Sequence, residues 1–394
     1  MPIYLDYNAT TPLDERVLDA MLPYLKGDFG NPSSATHAYG WTASAGVDLA
    51  REELAEAIGA SAEEVTFTAG ATESDNMALL GLLRPGDHLV TAATEHEAIL
   101  EPAQHLARAG VRVTVLPVDH HGVVHPDRLA EALEPGTRLV SIMLANNETG
   151  TLNGVRELAE VAHERGVPFH TDAAQAFCKV PVDVEDLGVD LVSISAHKCY
   201  GPKGMGALYV RRRPHPGVRN FRPEPILFGG GQERGRRSGT LNVPGIVGLG
   251  KAASLGAASP PEEAERIRAL RDRLHAALAA GIPGLRLNGH PEYRLPGTLN
   301  VSFPGVDVGE LLGALPDVAA SAGSACASLD AGPSHVLEAM GVKNGSWGTV
   351  RLSLGRFTTG EEVHRAAQML VGAASDPRTS AESSGHEAPH PSRS

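Results

Sequence analysis

Apolar runs of strand length alternate with segments of helical period over most of the chain, and no other feature restricts the fold as tightly. "EVTFTAG" leads into "ATESDNMALLGLL" and "HLVTAAT" into "EHEAILEPAQHLARAG"; after "RVTVLPV", "RLVSIMLAN" precedes "VRELAEVAHERG", and "VPFHTDAAQ" and "DLVSISAHK" come next. A strand buried on both faces reads as a continuous Val/Ile/Leu run, and strands alternating with helices require βαβ crossovers. The chain is therefore expected to build an α/β fold around a largely parallel sheet. In such open sheets, ligands bind beyond the carboxyl ends of the strands.

With 394 residues, 42% of them hydrophobic and 21% charged, the chain can bury a large core and is expected to form two domains. Near "SLGAASPPEEAERIRALRDRLHAALAAG" a Ser/Pro-rich joint meets a long amphipathic helix with Pro260 and Pro261 at its start. The expected division is a large domain over 14–255 and a smaller α+β domain over 256–374, joined by residues 1–13. The last stretch, 375–394, has almost no large apolar side chain and reads as a disordered tail.

A formal charge of −13 argues against nucleic-acid binding, which needs clustered Lys and Arg; "ERGRRSGT" is the one local exception. No apolar run reaches the roughly 18 residues of a membrane span, and the start lacks the pattern of a secretory signal, so a cytoplasmic location is expected. Three cysteines without CxxC spacing indicate neither a disulfide framework nor a structural zinc site. Among the 17 histidines HExxH is missing, and His120, His121 and His125 fall in a polar, turn-like segment, so no metal site is expected.

The strand ends carry the polar residues: "TAGATES", "TEHEA", "ANNETG", "TDAAQ" and "SAHK". "AGATES" opens a helix, so its free amides and the Thr72 hydroxyl suit a phosphate, although many ordinary N-caps look the same. A carboxylate at Asp172 sits at a strand end where burial requires a positive partner; a pyridinium nitrogen would serve, as would an N-cap or metal-ligand role. Lys198 also ends a strand, followed by a Gly/Pro turn, and a desolvated lysine becomes a nucleophilic amine. Together, an anion site, a strand-end carboxylate and a strand-end lysine match the three fixings of pyridoxal phosphate: phosphate, ring nitrogen and aldehyde.

These residues resemble the cysteine desulfurases of the NifS/IscS kind. The stretches that carry the resemblance are "IYLDYNATTP", "GNPSSATHAYG", "TAGATESDN", "TEHEA", "ANNETG", "HTDAAQ", "SAHKCYGPKG", "GGGQERGRRSGT", "GTLNVSF", "SAGSACAS" and "VRLSLGRFT", in order through residues 3–360. The resemblance implies the fold-type-I architecture of pyridoxal-phosphate enzymes, with a mostly parallel seven-stranded sheet in the large domain and a smaller α+β domain. It implies that Lys198 holds the cofactor as a Schiff base and moves the substrate Cα proton, that Asp172 pairs with the ring nitrogen, and that His96 stacks on the ring and shares in proton transfer. Gln175 would bond the ring hydroxyl and Asn147 would lie near it and the substrate carboxylate. Ala71, Thr72, Ser195 and His197 would hold the phosphate, with Thr240 completing the site of a neighbouring subunit in a homodimer.

By the same resemblance Arg351 grips the carboxylate of L-cysteine, a role suited to its planar fork, although a surface charge on a strand would look alike. Cys326 would be the nucleophile, on a Gly/Ser/Ala-rich segment whose "GSAC" matches the NifS/IscS branch rather than the branch marked by "GHHC". Cys178 and Cys199 read as packing residues. The implied activity is conversion of L-cysteine to L-alanine, with the sulfur passed as a persulfide to an acceptor such as an iron–sulfur scaffold or a tRNA-thiolation enzyme; Cys326 could also serve as a shared cluster ligand. Selenocysteine lyase, or an aminotransferase or β-lyase of the same fold, is the alternative.

Overall fold

The structure is a computed structural model and describes residues 2–259, 261–322, 334–342, 347–376 and Thr379. The elements run β1 (Ile3–Tyr4), α1 (Glu15–Lys26), α2 (Ala38–Ala57), β2 (Val65–Thr68), α3 (Ala71–Leu82), β3 (His88–Ala92), α4 (Glu97–Arg108), β4 (Arg112–Leu116), α5 (Pro126–Ala132), β5 (Thr137–Ser141), α6 (Val155–Glu164), β6 (Phe169–Asp172), β7 (Leu191–Ser195) and β8 (Gly206–Val210). They continue with α7 (Val243–Ala257), α8 (Pro261–Gly281), β9 (Arg286–Asn288), β10 (Thr298–Pro304), α9 (Val308–Gly313), β11 (Val318–Ala319), α10 (His335–Ala339), β12 (Trp347–Ser353) and α11 (Gly360–Ala374).

The apolar runs form a seven-stranded sheet in the order β2-β8-β7-β6-β5-β3-β4. Every residue of β2, β3, β6, β7 and β8 is buried, as continuous runs require. The exception is β4: its Arg-Val-Thr-Val-Leu run is at the sheet edge and Val115 is half exposed. Parallel pairing joins β4, β3, β5, β6 and β7, whereas β8 is antiparallel to both its neighbours. That reversal matters for the site. Gly206 at the start of β8 pairs with Thr68 at the end of β2 and with Ser195 at the end of β7, so the two strand ends are drawn to either side of one residue. A Cβ on Gly206 would lie 2.6 Å from Gly70 Cα and 2.5 Å from Ile194 O, so only glycine permits the approach.

Helices cover both faces. Phe67, Ile142, Leu158, Phe169, Ile194 and Leu249 belong to the core on one side, and Met77, Leu79, Leu83, Leu89, Ile99 and Leu208 to the core on the other. On the first side α2 and α7 touch almost backbone to backbone, since a Cβ on Gly250 would fall 2.5 Å from Ala50 Cα. A third cluster joins Ile3 and Leu5 to Leu274, Leu299, Phe303, Leu352 and Leu370, around the sheet β12-β10-β9 and the pair β1-β11. This grouping of the first residues with the last supports the division into 14–255 and 1–13 with 256–374, which we propose. The tail 375–394 lies outside the described residues except for Ser375, Asp376 and Thr379, and Pro260 also lies outside them.

Candidate active site

Because the parallel strands end along one edge, the segments that follow them converge on a cavity of about 910 Å³. Lys198 enters it from a single helical turn after β7, with Nζ donating to the backbone oxygens of Asn8 (2.5 Å) and Ala9 (2.9 Å). Asp172, the last residue of β6, lines the same cavity, and its Oδ1 accepts from the Ala174 amide at 2.7 Å. Burial pushes the Asp172 carboxyl up, and the Ala174 amide, His96 and Lys198 oppose that rise. The charged form thus depends on a cation nearby.

His96 caps α4, and its Nδ1 accepts from the Ala98 amide at 3.1 Å. The bond assigns the proton of the neutral ring to Nε2, which leaves that nitrogen as the donor. Gln175 is fixed at both ends of its amide: Nε2 donates to Asn8 O (2.9 Å) and Oε1 accepts from Lys179 Nζ (2.7 Å). Lys179 is half-buried and also reaches Asn8 Oδ1; desolvation first, then the charges of Lys198 and Arg351, lower it to about 7.

Arg351 on β12 is wholly buried, so it is not a surface charge on a strand. Nη2 meets Asp6 Oδ1 at 2.8 Å and Ser321 Oγ at 3.1 Å, and Nη1 donates to Asn147 O at 3.1 Å. Nε has no hydrogen-bond partner among the described residues, and the side chain lines the cavity. The guanidinium is thus held in place at the cavity wall, with one buried N–H still unpaired.

At the other end, α3 is preceded by Gly70, which has φ +152° and offers no side-chain cap, so the first amides of the helix, at Ala71 and Thr72, are left for a ligand. Ser195 and His197 face the same space. His197 Nδ1 lies 3.1 Å from Thr10 Oγ1, and burial, followed by Lys198, Lys203 and Lys179, brings its pKa down to about 4, so the ring is neutral at physiological pH. An uncapped helix start with hydroxyl and imidazole groups accepts a phosphate. The set of anion site, carboxylate and lysine in one cavity fits pyridoxal phosphate.

The structure thus gathers Ala71, Thr72, His96, Asn147, Asp172, Gln175, Ser195, His197, Lys198 and Arg351 around one space. Thr240 is exposed and does not line it. Cys326 lies outside the described residues. Sequence reasoning missed Asp75, buried in the cavity wall, and Glu95, buried behind it, both pushed well up by burial and by the Asp172 charge. It also gave no role to Asn8 and Lys179, whose part depends on contacts across the fold.

The profile of the class-V aminotransferase family matches residues 3–366. A cysteine desulfurase IscS of Anaeromyxobacter sp. (strain Fw109-5) is 52% identical over 94% of this chain and 92% of its own length. A cysteine desulfurase of Mus musculus is 47% identical, over 94% of this chain and 81% of the relative. Among solved structures, a NifS-like protein superposes with a TM-score of 0.85 at 37% identity, covering 94% of this chain and 99% of that one. The chain belongs to the class-V aminotransferase family and, within it, to the pyridoxal-phosphate-dependent cysteine desulfurases of the NifS/IscS kind.

Proposed function

We propose that the cavity binds L-cysteine against pyridoxal phosphate and that Cys326 takes its sulfur, releasing L-alanine and leaving a persulfide for an iron–sulfur scaffold or a tRNA-thiolation enzyme. The observation that carries this reading is the convergence of Lys198, Asp172 and the uncapped start of α3 on one cavity that a buried Arg351 also faces. The bound cofactor supplies an electron sink that makes the Cα proton and the Cβ–S bond of cysteine labile. Ala71, Thr72, Ser195 and His197 hold its phosphate, Gln175 its hydroxyl, and the Asp172 carboxylate its ring nitrogen.

Arg351 orients the substrate through its carboxylate, beside Asn147. Lys198 Nζ takes the Cα proton, and His96 carries protons through Nε2. The Cys326 thiolate attacks the substrate sulfur: the S–S bond forms as the Cβ–S bond breaks, and Cβ gains a proton to give alanine. Both flanks of the segment that carries Cys326 are tied next to the cavity, Ser321 to Arg351 and Ser334 to Glu148, which supports this assignment.

The functional unit is a homodimer in which Thr240 completes the partner's phosphate site. Thr240 is exposed on a segment with the exposed Leu227 and Phe228, and Phe29, Tyr39 and Trp41 add further exposed aromatic surface, the composition of an interface. Cys178 and Cys199 are free thiols, which supports a reducing compartment, the cytoplasm. No described helix is long and apolar enough to cross a membrane.

Alanine and sulfide released from L-cysteine under reducing, oxygen-free conditions test the reading, with Cys326→Ser compared at equal cofactor content. The expected result is both products from the wild type and neither from the variant. Equal turnover would transfer the chemistry to a lyase or aminotransferase mechanism without this thiol.

A further inference from the structure

At the opposite edge of the sheet, where the parallel strands begin, three side chains from separate elements meet. His163 is in the last turn of α6, Asp190 immediately precedes β7, and His215 follows β8, whose reversed direction returns the chain to this edge. One ligand atom from each lies within 4.8 Å of the other two. His163 Nε2 is 2.8 Å from Asp190 Oδ2, which also accepts the Phe169 amide at 2.8 Å, and the two imidazole rings are 4.5 Å apart, centroid to centroid.

The pair of His163 and Asp190 accounts for only part of this arrangement. Asp190 is fully buried, and its Oδ1 has no hydrogen-bond partner among the described residues; neither has the buried His215 Nε2. A buried polar atom left unpaired costs about 1–3 kcal/mol, more when charged, so a cation is expected beside the carboxylate. Arg211 does not supply it, since its donors turn to Glu185 Oε1 and the backbone oxygens of Val184 and Val189.

We propose that His163, Asp190 and His215 bind a divalent late first-row metal ion, zinc foremost. Imidazole nitrogen and carboxylate oxygen are the donors such ions take at about 2.0–2.2 Å, and three protein ligands leave a position for water. The metal displaces the proton shared between His163 and Asp190 and engages the unpaired atoms. It clamps the end of α6, the start of β7 and the segment after β8, all remote from the cavity, so it stabilises the fold and leaves turnover unchanged.

The test is a titration of the full-length, cofactor-loaded Cys326→Ser protein, which removes a competing thiol, with Co²⁺ as a visible probe and Zn²⁺ as competitor. One Co²⁺ per chain with a ligand-field band that Zn²⁺ abolishes is expected, and His163→Gln and His215→Gln each weaken binding at least tenfold, as loss of one of three ligands requires. Saturating Zn²⁺ raises the melting midpoint of the parent and not of either variant, by mass action. His215→Gln in the Cys326-intact chain keeps wild-type turnover. Binding of equal strength in parent and variants, or no binding in the parent, overturns the proposal; far-UV circular dichroism identical to the parent shows that the variants are folded.

Discussion

The proton inventory around Asp172 is set by what each carboxyl can find to meet it. Asp75, Glu95 and Asp172 are all raised by burial, but only Asp172 has an amide donor, His96 and Lys198 together to oppose the rise. Burial therefore favours the protonated forms of Asp75 and Glu95, and on the proposed reading Asp172 is the acid that ionises against a cationic ring nitrogen. Glu95 makes a direct test, since Oε1 accepts the Met143 amide at 2.8 Å and a glutamine would keep that bond. A carboxyl whose native pKa lies above its unfolded value of about 4.3 contributes stability that is complete below that value and is lost as pH rises through the native pKa. As pH rises above about 4.3 the wild type should thus lose melting temperature, and Glu95→Gln should lose less over the same range. Melting curves measured across that range decide the matter: parallel declines would mean that Glu95 is ionised in the native state.

At the scale of elements, the site depends on two strand ends brought together by β8 and on a segment held by one buried ion pair. Arg51 on α2 grips Glu233 with both nitrogens, at 2.7 and 2.8 Å, while Glu233 also accepts the Phe67 amide of β2. Glu233 and Arg234 both have positive φ, 48° and 57°, a conformation that non-glycine residues hold only when their surroundings impose it. Glu233→Ala leaves a buried guanidinium unpaired and should cost about 3–5 kcal/mol, whereas Arg51→Met with Glu233→Leu should recover most of that loss. Calorimetry on the single and double variants checks this, and a single variant that melts like the wild type would refute it. Neither the ion pair nor the reversal of β8 could be read from the sequence, because a strand's composition does not encode its direction and the ion-pair partners are far apart along the chain. The parallel strands and the polar strand ends were legible, since burial on both faces leaves an apolar run that stops where the polar residues begin. The same rule misjudged β4, whose β-branched run is at an edge, and it left Arg351 undecided, since its burial rests on Asp6 and the Asn147 carbonyl from distant segments.

For the whole molecule, the decisive question is whether each cavity is complete within one chain. Ala71, Thr72, Ser195 and His197, the residues proposed to hold the phosphate, line the cavity of their own chain, while Thr240 is exposed and outside it. In a two-fold dimer the same patch meets itself, so each chain would lend Thr240 to the other's site and receive the partner's in return. Lys198, in contrast, serves its own cavity. Lys198→Ala and Thr240→Ala homodimers should then both be impaired, the first almost completely and the second through weakened cofactor binding. Unfolding and refolding the two together yields mixed dimers in which one site has both residues intact and the other has neither. With random pairing, half of the dimers are mixed, so intact sites return to about a quarter of the wild-type number. Turnover of the refolded mixture at limiting cofactor, where the Thr240→Ala defect shows, should rise above the average of the two separately refolded parents. If it equals that average, Thr240 acts within its own chain or not at all, and the cavity is complete without a partner.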